Sequence, residues 1–466
     1  MESARFESAV RLSPKAVWTV FWFALFGVAA LVAEVKWIGP PSGGNSPPPA
    51  PAIPGVVSHA GGRVSMESDA ALFARMEDVR DPRQPLESPS PDAMKQFVRD
   101  LQELSFGRRR TPVRILHYGD SILTTDELSG RVRSIFQNRF GDAGHGFVLL
   151  ARPWRWYNHI GVEQGASLEQ WQIHPFTSAP LEDGLYGLGG VAFQARRGSR
   201  ATAWVATAKE GTQGRQVRWF DISYLEQPGG GSFDVYVNDR FRETVKTSAP
   251  AKQVAHRKIE VDFGQSRLQV KYRNDGELRM FGTVLENGQP GVVYDSLAIN
   301  GARGTALARY DEKHWEQEIA HREPSLVILM MGANEGANRF LNLKEYRRDF
   351  TDVVATLKRA AGNASCLVVG PLDQAMKSET GDLISKKMPA RLSEAQRDVA
   401  LHAGCAFFDT WTAMGGDGSM PRWWSTGLGG GDLVHPTKEG ARLLGNWLAE
   451  ALLYEYQSHG RKQAQK

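Results

Sequence analysis

The chain has 466 residues, of which 41% are hydrophobic and 23% are charged. This length and composition are typical of a globular protein with about two or three domains. The formal net charge is only +4, which excludes a strongly basic surface of the kind that binds nucleic acid. No nucleic-acid partner is therefore expected.

An apolar segment near the N-terminus, residues 16–33, follows three basic residues. As a helix it would be about 27 Å long, close to the hydrocarbon thickness of a membrane. The basic flank favours a cytoplasmic N-terminus, with the rest of the chain exported. We interpret residues 1–38 as a cytoplasmic stub and a retained signal anchor. A cleaved signal peptide, processed near residues 28–30, is the alternative.

Residues 39–64 are rich in proline and glycine, a composition that favours a semi-extended linker rather than a packed core. Together with the anchor, the linker predicts a single-pass protein of the inner membrane. Its folded part would lie in the periplasm or another extracytoplasmic space, facing cell wall or exopolysaccharide.

The two cysteines, Cys366 and Cys405, each begin a short apolar run that is typical of a buried parallel strand. In neighbouring strands the two thiols could be bridged in an oxidising compartment. Two free buried thiols are the alternative. The sequence has no CxxC pair and no HExxH motif, so no zinc or other metal site is predicted.

The first half of the folded region, residues 65–153, predicts a strand–turn–helix unit. An amphipathic lead-in helix is expected over 93–104, followed by a strand over 113–118 that reaches Gly119-Asp120-Ser121. Thr124 and Glu127 have the spacing of a capping box for the next helix, which should end at Gly141. A serine therefore stands at the turn.

Residues 154–289 have a different sequence pattern from the flanking segments. They contain short runs of alternating polarity separated by Gly, Asn, Asp and Pro. This pattern predicts an inserted antiparallel β-sandwich. Its frequent tryptophans include Trp154, Trp156 and Trp171. Most should be core residues, although exposed ones could stack on sugar rings.

In residues 290–466 strands and helices alternate again, which predicts a parallel sheet covered by helices on both faces. Ligands of such sheets bind at the carboxyl ends of the strands. Ser121, Gly301 and Asn334 each follow a predicted strand directly. We therefore expect these three residues to lie at one edge of the sheet.

These residues suit nucleophilic attack on an ester. Ser121 would be the nucleophile, His435 the base, and Asp432, three residues earlier, the group that orients the imidazole. The N–H groups of Ser121 and Gly301 and the side-chain amide of Asn334 would form the oxyanion hole. The segment Gly187–Gly190 is a competing source of oxyanion donors. The sequence lacks the GxSxG motif of α/β-hydrolases and the GK[ST] motif of phosphate-binding loops.

Four blocks of the sequence resemble the SGNH (GDSL-type) hydrolases. The blocks are Gly119–Ser121, Gly301, Gly332-Ala333-Asn334-Glu335 and Asp432-Leu433-Val434-His435. The resemblance implies an α/β fold with a flavodoxin-like parallel sheet, here interrupted by the β-sandwich and preceded by the transmembrane anchor. It also implies the triad Ser121, Asp432 and His435, with no cofactor.

Ser121 and Asn334 lie more than 200 residues apart, so the β-rich segment, expected to be carbohydrate-binding-like, interrupts the family's core. In this respect the chain resembles envelope peptidoglycan O-acetylesterases, as do its GDAGHGFV and GANE segments. Ile122 departs from that group, where His is frequent after the serine. The resemblance implies hydrolysis of small O-acyl esters on an acetylated polysaccharide or peptidoglycan. An O-acetyltransferase with the same triad, and a glycan-binding scaffold with a vestigial site, are the alternatives.

Overall fold

The computed structural model describes residues 56–58, 64–211 and 213–464. The predicted anchor and nearly all of the predicted linker lie outside these residues. Within the described part, no helix combines the length and the apolar character that a membrane crossing requires. Residues 53–466 form one compact unit.

The elements are numbered in chain order. The strands are β1 (Val56–Ser58), β2 (Val64–Met66), β3 (Val113–Gly119), β4 (Gly146–Leu149), β5 (Val162–Ala166), β6 (Trp171–Pro175), β7 (Val191–Ala195), β8 (Thr202–Thr207), β9 (Val217–Glu226), β10 (Ser232–Val237), β11 (Arg240–Lys246), β12 (Gln253–Gly264), β13 (Arg267–Tyr272), β14 (Arg279–Glu286), β15 (Val292–Ala298), β16 (Leu326–Met330), β17 (Ser365–Val369), β18 (Ala375–Lys377), β19 (Leu383–Ser385) and β20 (Ala406–Phe408). The α-helices are α1 (Asp69–Met76), α2 (Lys95–Ser105), α3 (Glu127–Phe140), α4 (Glu312–Arg322), α5 (Ala333–Gly336), α6 (Leu343–Ala361), α7 (Met388–His402), α8 (Thr410–Met414), α9 (Ser419–Ser425) and α10 (Lys438–Ala464).

The predicted parallel sheet is present and has the strand order β15-β3-β16-β17-β20. Each neighbouring pair in it is parallel. Numbered along the chain, this order is 2-1-3-4-5, that of flavodoxin-like folds. The direction in which strands are added changes at β3 and β16, and a ligand site is expected at the carboxyl ends there.

Alternating side chains of the central strands enter two different cores, because successive residues of a strand point to opposite faces. On one face, Ile115 and Ile328 belong to a core that includes residues of α2, α3 and α10. On the other, Leu116 and Val327 belong to a core that includes residues of α4, α6 and α7. Both faces are therefore buried, which explains the nearly continuous apolar runs in these strands.

The β-rich part forms two antiparallel sheets, with the orders β11-β10-β13-β8-β5 and β12-β9-β14-β7-β6, and β4 pairs with β14. Their buried side chains share one core. Tyr224 of one sheet and Phe233 of the other have ring centroids 5.4 Å apart. This is the arrangement expected of a sandwich, and in the structure its strands begin at β4 and end at β14.

Buried ion pairs fasten the β-rich part to the parallel sheet. Glu286, at the end of β14, lies 2.8 Å from Arg114 of β3 and 2.9 Å from Arg322 of α4. Arg322 also lies 2.8 Å from Asp295 of β15. The carboxylates are almost fully buried, and breaking such a pair would leave an uncompensated charge. The β-rich part is therefore held against the sheet.

Cys366 and Cys405 form a disulfide. Cys366 lies in β17 and Cys405 directly precedes the neighbouring strand β20, and both are buried. Of the two alternatives that the sequence left open, the structure has the bridged one.

Candidate active site

Ser121 lies at the carboxyl end of β3, where it begins a short 3-10 turn, Ser121–Leu123. Asp120 shapes this turn, because one of its carboxylate oxygens accepts the N–H of Ile122 at 3.0 Å. The other accepts the N–H groups of Gly332 and Ala333 at 3.1 and 2.9 Å. One buried carboxylate therefore connects the loop of Ser121 to the loop that carries Asn334.

The capping box predicted after Ser121 is wrong. The helix α3 begins one residue after Asp126, which has φ of 58° and makes no capping hydrogen bond. The Thr124 hydroxyl instead donates to the carbonyl of Ser121 at 2.7 Å. Local hydrogen bonding to the preceding turn thus replaces the expected cap.

The segment Asp432–His435 aligns the other two predicted residues with Ser121. Leu433 adopts a left-handed conformation with φ of 59°, which turns the chain back on itself. As a result one oxygen of Asp432 accepts the N–H of His435 at 2.9 Å, and the other lies 2.6 Å from His435 Nδ1. His435 Nε2 lies 2.7 Å from Ser121 Oγ. The three residues thus form a continuous Ser–His–Asp chain.

The electrostatic surroundings of the triad Ser121, His435 and Asp432 suit His435 as a base. Its hydrogen bond to Asp432 raises the pKa of His435 above the usual value, although partial burial acts in the opposite direction. Burial alone would raise the pKa of Asp432, but hydrogen bonds from His435 and from two backbone N–H groups outweigh it and lower that pKa. Asp432 is thus ionised at neutral pH and stabilises the imidazolium form of His435.

Gly301 and Asn334 lie at the same edge of the sheet as Ser121. Ala298 and Met330 are both paired with Gly119, so all three chain segments leave neighbouring strands together. Gly301 has φ of 72°, and no atom lies within 4 Å of the position that a Cβ would take. The Asn334 amide nitrogen donates to the carbonyl of Ala302 at 2.7 Å. An amide has two hydrogens, so one remains for an oxyanion.

Glu335 connects these two segments further. It is buried, and one of its oxygens accepts the N–H of Gly304 at 2.6 Å. Burial raises the pKa of Glu335 to about 7. In the sequence, Asp120 and Glu335 are recognisable only as parts of the GDS and GANE motifs. Their positions beside the serine and the asparagine were the available signal for their connecting roles.

The competing glycine segment, Gly187–Gly190, has a packing role. The N–H of Gly187 donates to His314 Nε2 at 2.9 Å, so it is already used. A Cβ on Gly190 would lie 2.6 Å from the Tyr310 hydroxyl oxygen. The whole segment is buried within the β-rich part, which leaves Gly301 as the glycine at the edge of the parallel sheet.

A cleft of about 330 Å³ opens at the Ser–His–Asp chain. It is lined by Ser121, Ile122, Thr124, Thr125, Trp156, Asn300, Asp432, His435, Pro436 and Ala441. Trp156 comes from the β-rich part and is 51% exposed, whereas Trp171 is buried in the core. The β-rich part therefore contributes one side chain, that of Trp156, to the lining of the cleft.

One group of potential metal ligands occurs among the described residues, namely Asp126, His145 and His159. The carboxylate of Asp126 is 2.6 Å from the Arg133 guanidinium, which already balances its charge. His145 Nε2 and His159 Nδ1 are 2.9 Å apart and hydrogen-bonded to each other. These internal bonds account for the group, and we assign no metal to it.

Residues 263–443 match the model of the GDSL-like lipase/acylhydrolase family. The matched range contains Gly301, Asn334, Asp432 and His435, which are the second, third and fourth blocks. Ser121 lies before the matched range in the sequence. It lies near the other blocks because β3 is the neighbour of β15 and β16 in the parallel sheet. The protein therefore contains a domain of the GDSL-like lipase/acylhydrolase family, as the resemblance to SGNH hydrolases implied. It is therefore a carboxylic ester hydrolase.

Among solved structures, the protein is similar to a peptidoglycan O-acetylesterase, with a TM-score of 0.67 and 23% identity over 80% of this chain and 99% of the other. At this identity the similarity shows the shared fold. A family two carbohydrate esterase from Clostridium thermocellum, solved with cellohexaose, matches 62% of this chain and 97% of its own at 12% identity, but its TM-score is 0.24. No curated protein sequence matches the chain.

Proposed function

We propose that this protein removes small O-acyl groups, O-acetyl in the first instance, from a glycan of the cell envelope through an acyl intermediate on Ser121. The observation that carries the proposal is the continuous chain Ser121–His435–Asp432 at an open cleft. Such a chain combines a nucleophile, a base and a group that orients the base.

In the first half of the reaction, Ser121 Oγ attacks the ester carbonyl and its proton passes to His435 Nε2. The negative charge on the carbonyl oxygen would be stabilised by the N–H groups of Ser121 and Gly301 and by the free amide hydrogen of Asn334. The acyl–oxygen bond then breaks, and the leaving sugar hydroxyl takes the proton from His435. In the second half, water attacks the acyl group with His435 again as base, which releases the carboxylic acid and restores Ser121.

Two observations support a glycan substrate. The fold is shared with a peptidoglycan O-acetylesterase, and an exposed indole, that of Trp156, lies in the cleft. The volume of about 330 Å³ lies at the lower end of the range for ligand pockets. It favours a small acyl group together with the ring that carries it.

The proposed location is the extracytoplasmic side of the inner membrane, with residues 16–33 as the anchor. The apolar segment and its basic flank support it. The buried disulfide between Cys366 and Cys405 supports it independently, since disulfides persist mainly in oxidising compartments.

The test measures hydrolysis of p-nitrophenyl acetate and release of acetate from acetylated peptidoglycan by the purified full-length chain. Ser121→Ala should lower both rates by at least about 10³-fold. Ser248→Ala, at an exposed serine of the β-rich part, is the matched control and should leave both unchanged. Near-normal turnover by Ser121→Ala would refute the proposal. Acetylated acceptor sugars among the products would identify the enzyme as a transferase.

A further inference from the structure

The loop between β4 and β5 presents Trp156 to the cleft and packs two other aromatic residues, Trp154 and Tyr157, against the core. Tyr157 is only 2% exposed, and its hydroxyl accepts the N–H of Leu149 at 3.0 Å. Trp154 packs edge-on against Tyr157, with ring centroids 5.9 Å apart. These two aromatics anchor the loop in the core. Trp156, between them in sequence, remains 51% exposed.

The same loop is fastened to the segment that follows the nucleophile. The N–H of Asn158 donates to the carbonyl of Thr124 at 3.0 Å. The N–H of Ile160 donates to Asp126 at 2.8 Å, and its carbonyl accepts from Arg133 at 2.8 Å. Asp126 and Arg133 are themselves a buried ion pair. The loop therefore has a fixed position relative to Ser121.

The half-exposed indole of Trp156 lines the same cleft as Ser121, so it is placed to contact a bound substrate. The other side chains at this end of the cleft are mixed in character. Thr125 and Asn300 offer hydrogen-bonding groups, and Ile122 is apolar. A flat aromatic face flanked by hydrogen-bonding groups matches a sugar ring, which has apolar C–H faces and hydroxyls around its edge.

We propose that Trp156 forms a carbohydrate subsite that stacks on the sugar ring carrying the ester and determines the preference for glycan over simple esters. This inference rests on the proposed function, since it assigns a binding residue to the same site. The loop between β4 and β5 belongs to the β-rich part, so the inserted segment supplies specificity while the parallel sheet supplies the reacting groups.

The experiment compares Trp156→Ala, Trp156→Phe and Phe241→Ala in the full-length chain. Phe241 is the matched control, because it is an exposed aromatic of the β-rich part, 56% exposed, and lies on the edge strand β11. Each variant is assayed on O-acetylated peptidoglycan, on p-nitrophenyl acetate, and on p-nitrophenyl butyrate and octanoate. Trp156→Ala should raise KM for the glycan about tenfold, equivalent to about 1.4 kcal/mol, and should raise KM for the small ester much less. Trp156→Phe should recover most of the loss, and Phe241→Ala should behave as wild type.

Three results would overturn the subsite. The first is an unchanged KM for the glycan in Trp156→Ala, and the second is an equal rise in Phe241→Ala. The third is a selective loss of activity on p-nitrophenyl butyrate and octanoate, which would assign Trp156 to the acyl chain. Failure of the proposed function looks different, because the wild-type chain would then show no Ser121-dependent hydrolysis of either substrate.

Discussion

Replacing Asp120 by asparagine tests whether one carboxylate aligns the two halves of the site. Asp120 is 2% exposed and accepts backbone N–H groups from Ile122, Gly332 and Ala333. Asparagine offers a single carbonyl oxygen, which can keep the bond from Ile122. Its NH₂ group would then face the N–H groups of Gly332 and Ala333, and two buried donors would lose their acceptor.

Each buried donor without a partner costs about 1–3 kcal/mol, so the two together cost about 2–6 kcal/mol. Burial raises the pKa of Asp120, which means that its charge carries a desolvation cost that asparagine avoids. We therefore expect a loss of unfolding free energy near the lower end, about 2–3 kcal/mol. Because Ser121 and Asn334 would no longer be held in fixed relative positions, kcat should fall by about 10–100-fold.

The assay combines thermal unfolding with kcat on p-nitrophenyl acetate. Asp311→Asn is the control, because this exposed aspartate caps α4 with one hydrogen bond to the N–H of His314, at 2.8 Å. Asparagine caps a helix equally well, so neither quantity should change there. If Asp120→Asn keeps the wild-type melting temperature and kcat, then Asp120 does not align the two loops.

Two further predictions concern the reacting groups. Asn334→Ala should lower kcat by about 10²–10³-fold with little change in KM, and a change in KM alone would make Asn334 a ground-state binding residue. Asp432→Asn should lower kcat and also move the acid limb of the pH profile of kcat/KM to lower pH. The sign follows because His435 must be neutral to accept a proton, and Asp432 raises its pKa. An acid limb that stays in place would show that another group titrates.

The sequence predicted the parallel sheet and the edge where the site lies, because buried strands and their following loops leave local signals. The predicted strand over 113–118 is Val113–Gly119 in the structure. The lead-in helix predicted over 93–104 is Lys95–Ser105, and its buried residues include Phe97, Leu101 and Leu104 on one face. Local periodicity is sufficient for such elements.

Contacts between distant segments left no local signal. The bond from Asp120 to Gly332 joins residues 212 positions apart, and the capping box failed because Thr124 bonds to Ser121 instead. The exposure of Trp156, unlike that of Trp171, depends on how its loop is anchored. Which tryptophan reaches the cleft could therefore be read only from the tertiary structure.

The way in which the β-rich part leaves and re-enters the sheet explains how an insertion can separate Ser121 from the other blocks without disturbing the site. The first strand after α3, β4, pairs with the last inserted strand, β14, with Phe147 opposite Val284. Near the junction, the N–H of Asn287 donates to the carbonyl of Ala143 at 3.0 Å. The two ends of the β-rich part are therefore adjacent. The insertion leaves β15 free to pair with β3. The loop between β4 and β5 is the first connection beyond this junction, so it lies next to the turn of the nucleophile. An insertion at this point places its first loop beside the cleft of Ser121, where the exposed Trp156 can contact the substrate without taking part in the chemistry.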